Sequence, residues 1–105
     1  QTMKSLLLDA RVMPDTRQNA AFRLMTSDKG IAELRGLLQH REVIVRRCVI
    51  FAFDELTELT EIPEAVKPAI PILKELKKDK DEVVRGMAEE ILEQIESRRK
   101  NAGKK

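Results

Sequence analysis

The chain has 105 residues, room for one modest core, and it is 42% hydrophobic, 36% charged and 3% aromatic, with neither Trp nor Tyr. That composition speaks against a β-barrel or sandwich and for helices packed through Leu, Ile, Val and Ala. Lys+Arg 20 against Asp+Glu 18 leaves a net charge of only +2, which is no strong nucleic-acid signature, and the missing rings remove the usual stacking platforms for single strands.

Residues 3–13, MKSLLLDARVM, read as a short helix that offers Leu6, Leu7 and Leu8 to the core. Pro14 stops it or opens the next helix at its first turn. Residues 15–26 read as a second helix, with Asp15 in the first turn and Ala20, Ala21, Leu24 and Met25 on its apolar side. Residues 27–30 form a turn in which Ser27 or Asp28 caps the third helix, residues 30–39. Ile31, Leu34, Leu37 and Leu38 face inward there. Gly36 costs that helix about 1 kcal/mol relative to Ala, which predicts close backbone packing at that point.

Residues 42–59, EVIVRRCVIFAFDELTEL, are apolar almost all round in their first half. A surface helix shows one apolar stripe. This one is therefore expected to be covered on both sides, with Ile44, Phe51 and Leu59 included. A linker at residues 60–63 leads to a fifth helix over residues 64–78. Pro68 and Pro71 predict either a start near Pro68 or first turns that are bent or partly 3₁₀. After a charged turn, residues 81–98 form the last helix, with Val84, Met87, Ala88, Ile91, Leu92 and Ile95 at helical spacing. Residues 1–98 make one domain, and residues 99–105 are expected to be a basic flexible tail.

The segments repeat. An offset of 39 carries Leu34 onto Leu73, Leu37 onto Leu76, Glu42 onto Asp81, Val45 onto Val84, Arg46 onto Arg85 and Leu56 onto Ile95. A shorter offset of 29 carries Arg17 onto Arg46, Ala20 onto Val49 and Leu24 onto Phe53. Each copy is a short helix, a polar turn with an acid, and a second helix with an early Arg. One such hairpin cannot hide its apolar side alone, whereas stacked copies can.

On KDKDEVVRGMAEEIL, HREVIVRRCVIFAF and PDTRQNAAFRLM the chain resembles the HEAT-repeat family of armadillo-like proteins. The resemblance implies an all-α fold, an α-solenoid of three stacked antiparallel helix pairs, right-handed, with repeats near 3–26, 30–59 and 64–98. It also implies a structural ladder of turn acids and early arginines: Asp15/Arg17, Glu42/Arg46 and Asp81/Arg85. In that family the second helices line the concave side, which would carry Arg47, Asp54, Glu58, Glu89, Glu93 and Glu96 as a partner-binding face.

No catalytic constellation stands out. His40 is the only His and Cys48 the only Cys, and their spacing across a turn is not a zinc pattern. Cys48 reads as an ordinary buried thiol in a reducing, cytoplasmic setting. The expected function is a protein–protein scaffold, adaptor or regulatory subunit without catalysis or cofactor, binding another protein with a basic surface. A piece of a larger solenoid is one possible setting. The alternatives are a nucleic-acid phosphate-backbone module, for which the cations around Lys74–Lys80 and Arg98–Lys105 would have to converge, and an enzyme accessory or lyase-like protein, which would need an apolar pocket beside His40 or Cys48.

Overall fold

The first helix ends where a side chain competes for the backbone. Thr2 caps α1 (Met3–Leu8), its Oγ1 accepting from the Ser5 N–H at 3.0 Å. Asp9 then takes the Arg11 N–H on Oδ1 at 2.9 Å and grips the Arg11 guanidinium with both oxygens at 3.0 and 2.9 Å. This local turn ends α1 five residues before the sequence reading placed its end. Pro14 opens α2 (Pro14–Leu24) rather than merely stopping α1.

In this computed structural model the described residues are 2–102, with side chains as far as Lys100. They form an all-α fold of six α-helices and no strand. After α1 and α2 come α3 (Asp28–Leu37), α4 (Val43–Thr57), α5 (Ile70–Leu76) and α6 (Glu82–Ala102). A 3₁₀ segment, Glu64–Ala69, precedes α5. Pro68 and Pro71 lack the N–H groups that an α-helix would need there, so the partly 3₁₀ start is what the sequence predicted. α6 runs through Ala102, past the expected boundary at residue 98. The part of the expected tail at residues 103–105 lies outside the described residues. No helix among them is long and apolar enough to cross a membrane.

Glycine 30, not glycine 36, is where backbones meet. Ser27 caps α3 by accepting the Gly30 N–H at 3.0 Å, and a Cβ on Gly30 would lie 1.7 Å from the Leu24 carbonyl oxygen. Nothing lies within 4 Å of a Cβ built on Gly36, which is exposed. The close packing expected at Gly36 is absent because that glycine points away from every neighbour.

α4 packs against α2 on one side and α6 on the other, while α3 contacts α2, α4 and the 3₁₀ segment, and α5 contacts α6. Phe53, Ile50, Leu56, Val45 and Val49 of α4 are fully buried with Leu34, Leu38, Leu73 and Ile91. Each such side chain gains about 1.5–3 kcal/mol on burial. The covering of α4 is incomplete, however. Phe51 is half-buried, and Ile44 and Leu59 remain 39% and 43% exposed. Ile44 sits in the first turn and Leu59 beyond the last, where neither flanking helix reaches over them.

The 39-residue correspondence is visible in hydrogen bonds. Arg46 Nη1 donates to the carbonyls of His40 and Arg41 at 2.9 and 3.0 Å. Arg85 Nη1 donates to those of Asp79 and Lys80 at 2.9 and 3.1 Å. His40 Nδ1 accepts the Glu42 N–H at 3.1 Å, and Asp79 Oδ1 accepts the Asp81 N–H at 2.8 Å. The early Arg thus ties down the turn ahead of its own helix, twice in the same way.

Candidate functional site

The arginines also reach the next turn along. Arg46 Nη2 donates to Asp79 Oδ1 at 3.1 Å, and its Nε lies 2.9 Å from Asp79 Oδ2. Arg47 forms a fork with Asp81 at 2.9 and 2.7 Å. That pairing holds the Asp81 carboxyl at a pKa of about 2. Arg17 is 3% exposed and donates from Nε to the Leu7 carbonyl at 2.8 Å. Its Nη2 is 3.8 Å from Glu42 Oε2, close enough for charge attraction but too far for a hydrogen bond.

The expected ladder residues therefore pair differently. Arg17 reaches forward to Glu42, and Arg46 to Asp79 rather than to Glu42. Asp81 is joined to Arg47 instead of Arg85. Asp15 is exposed and is in no ion pair among the described residues. The missed acid is Asp79. Its signal was the same offset, which sets it on His40, the other side chain that accepts from the residue two places on.

The six residues expected to form one partner face have three kinds of surroundings. Arg47 is consumed by Asp81. Glu89, Glu93 and Glu96 surround a shallow hollow with Lys77 and Leu92, between α5 and α6. Asp54 and Glu58 belong to a second acidic group, on α4. There, burial first, then the charges of Glu58, Glu90 and Glu55, push the Asp54 carboxyl up from its ordinary value. None of these four carboxylates is in an ion pair among the described residues. Phe51, half-buried, lies one helical turn from Asp54. Sequence reading left Glu90 out of the partner face, yet its charge acts on Asp54 of α4.

His40 and Cys48 have structural environments. The Nδ1 of His40 is occupied by the Glu42 N–H, and the hollow beside it is lined by Arg41, Arg46, Glu75, Lys78, Asp79 and Lys80. Cys48 is buried, burial raises its thiol pKa against the pull of Arg17, and its carbonyl accepts from Gln18 Nε2 at 2.9 Å. Among the described residues no group of three or more His, Cys, Asp or Glu is placed to hold a metal ion. An apolar cavity of about 560 Å³ is beside neither residue; it lies among the 60–63 linker, the 3₁₀ segment and the end of α6.

No protein-family model, curated protein or solved structure matches the chain.

Proposed function

We propose that this chain is a HEAT-like α-solenoid module of three stacked helix pairs that binds another protein and performs no chemistry of its own. The partner presents a basic segment to the α4–α6 face, in the reducing cytoplasm that suits Cys48. The observation that carries this reading is the uncompensated acidic group of Asp54, Glu55, Glu58 and Glu90 beside Phe51. A carboxylate pushed upward by burial and by neighbouring charges gains when a partner cation arrives. The apolar ring beside it adds contact area at low entropic cost.

The stacked arrangement draws support from what each second helix turns toward its neighbours. Toward the preceding pair, Val45, Cys48 and Ala52 of α4 are buried, and their equivalents Val84, Met87 and Ile91 of α6 are buried or half-buried. Their equivalents in α2 are Thr16, Asn19 and Arg23, all exposed. Toward the following pair, Ile50, Phe53 and Thr57 are fully buried, while Glu89 and Glu96 at the equivalent α6 positions are exposed and Leu92 is half-buried. Five of these six outward positions, all but Leu92, thus carry polar side chains, as terminal units of a repeat stack require. A further pair stacked like the third would have to bury Glu89 and Glu96.

A protein is favoured over a phosphate backbone because the cations are dispersed. Lys77 sits among glutamates, Lys78 and Lys80 flank Asp79 and Glu75, and Arg98 and Arg99 line the apolar cleft. The test is fluorescence anisotropy with a Lys/Arg-rich amphipathic peptide. Saturable, salt-sensitive binding that Asp54→Lys with Glu90→Lys abolishes is the expected result. Absent binding, or binding indifferent to that double reversal, overturns the reading.

A further inference from the structure

The cleft among the 60–63 linker, the 3₁₀ segment and the end of α6 has two chemically distinct parts. Ile62, Val66, Ile70 and Ile95 give it an apolar lining, and Lys67, Arg98 and Arg99 set three cations against the one carboxylate of Glu61. Its volume of about 560 Å³ falls inside the small-molecule range of roughly 300–1,000 Å³.

Arg98 is the group that gives the cleft a direction. Its Nη1 donates to the Leu59 carbonyl at 2.7 Å and to the Thr60 carbonyl at 2.9 Å, just past the end of α4. Among the described residues its Nε and Nη2 make no hydrogen bond. A guanidinium held at one terminal nitrogen keeps its Nε/Nη2 edge, whose two N–H groups match the two oxygens of a carboxylate. Because the main chain already restrains the side chain, little rotamer freedom is left to lose on binding. Lys67 is 2.9 Å from Glu64, and Arg99 is 3.9 Å from Glu96, so the other two cations are partly answered within the protein.

We propose that this cleft binds a small anionic amphiphile, its carboxylate on Arg98 and its alkyl body against Ile62, Ile70 and Ile95. The two parts lie within one cavity of small-molecule size, so a single ligand spans both. An uncharged chain of the same length leaves the Arg98 edge to water, and a cationic one meets the like charge of Arg98. The site stands apart from the α4–α6 acidic face and does not depend on it.

Decanoate is a suitable probe, titrated into the full chain labelled with ¹⁵N and followed by amide shifts. Saturable shifts are expected at Ile62, Val66, Ile70 and Ile95. Decanol and decyltrimethylammonium are expected to bind at least about tenfold more weakly, the worth of a charge-assisted hydrogen bond. Arg98→Gln should cost a similar factor. Because Arg98 also holds two carbonyls, Ile70→Asp, at a half-buried position, is the second variant; it should abolish decanoate binding while leaving the remaining amide spectrum in place. Equal binding of decanol or the trimethylammonium compound overturns the proposal. So do shifts centred elsewhere, or none that saturate. Tighter binding of an acidic peptide such as Leu-Glu-Leu overturns it too, in favour of a partner-protein segment.

Discussion

Arg46 and Asp79 form an ion pair that joins α4 to the turn before α6, with side chains only 14% and 8% exposed. Each end has a second task. Arg46 spans the His40 and Arg41 carbonyls, and Asp79 holds the Asp81 N–H. The pair is thus built into both turns. Replacing one partner strands the other charge in a place poor in water, which costs about 3–5 kcal/mol for a fully buried pair. Some solvent access here lowers the expectation to about 2–3 kcal/mol for Asp79→Ala. Thermal unfolding followed by circular dichroism should show a fall in Tm of at least about 8 °C for a domain of this size. Arg46→Lys should not be neutral, because one ammonium cannot serve the carboxylate and both carbonyls together.

The two α3 glycines should respond with opposite signs. At Gly30 a methyl group would run into the Leu24 carbonyl oxygen, so Gly30→Ala must push α2 and α3 apart at their junction. The cost is expected to exceed about 2 kcal/mol, as for overpacking against main chain that cannot yield. At Gly36 the same methyl meets open space on an exposed helical position. Gly36→Ala should stabilise by about 0.5–1 kcal/mol through helix propensity alone. Urea titration of the two variants checks both signs, and equal effects would place the close approach elsewhere.

Two aspartates give opposite pH dependences. The folded-state pKa of Asp81, about 2, is below its ordinary 3.8, chiefly through the Arg47 hydrogen bonds. Between those values the unfolded chain binds more protons, so stability is lost as pH falls through this window. Arg47→Met should remove most of that slope. Asp54 is shifted upward by burial and by Glu58, Glu90 and Glu55. Its charge therefore costs stability above its folded pKa, and acidification relieves the cost. Asp54→Asn should raise Tm at pH 7, with the gain disappearing once the native Asp54 is protonated. Tm measured against pH for the parent and both variants separates the contributions.

Helix type and order were legible because they rest on local chemistry. Ser27, Pro14, Pro68 and the 3.6-residue spacing of Val84, Ala88, Ile91 and Ile95 act within one or two turns of themselves. The pairing of charges was less legible, since the sequence contains both Asp79 and Asp81 within reach of both Arg46 and Arg47. Choosing between them requires the angle at which α4 meets the following turn. Gly30 and Gly36 look alike in sequence for the same reason: only the sharpness of the α2–α3 junction tells which is crowded. The acidic residues of α6 divide by a single step around the helix. Glu89 and Glu90 are one residue apart, yet about 100° of helical rotation sends them to different surfaces.

That rotation also permits a test of the outer surface of α6. Glu89 and Glu96 occupy the positions that Ile50 and Thr57 occupy on α4, where both are fully buried against neighbouring elements. With Leu92 half-buried between them, Glu89→Leu with Glu96→Leu would create a continuous apolar strip. Neither substitution removes a buried contact, and Glu96 gives up only the 3.9 Å contact with Arg99. The folded monomer should keep its Tm within a few degrees. Its outer face would then resemble the face that α4 buries, and exposed strips of this kind drive association. Sedimentation velocity should show a larger species that grows with concentration in the double variant. The converse substitution, Ile50→Glu, places an unpaired charge at a fully buried site and should unfold much of the protein. If the leucine variant sediments like the parent, the outer face of α6 is not equivalent to the covered face of α4, and the stacked-pair arrangement fails with it.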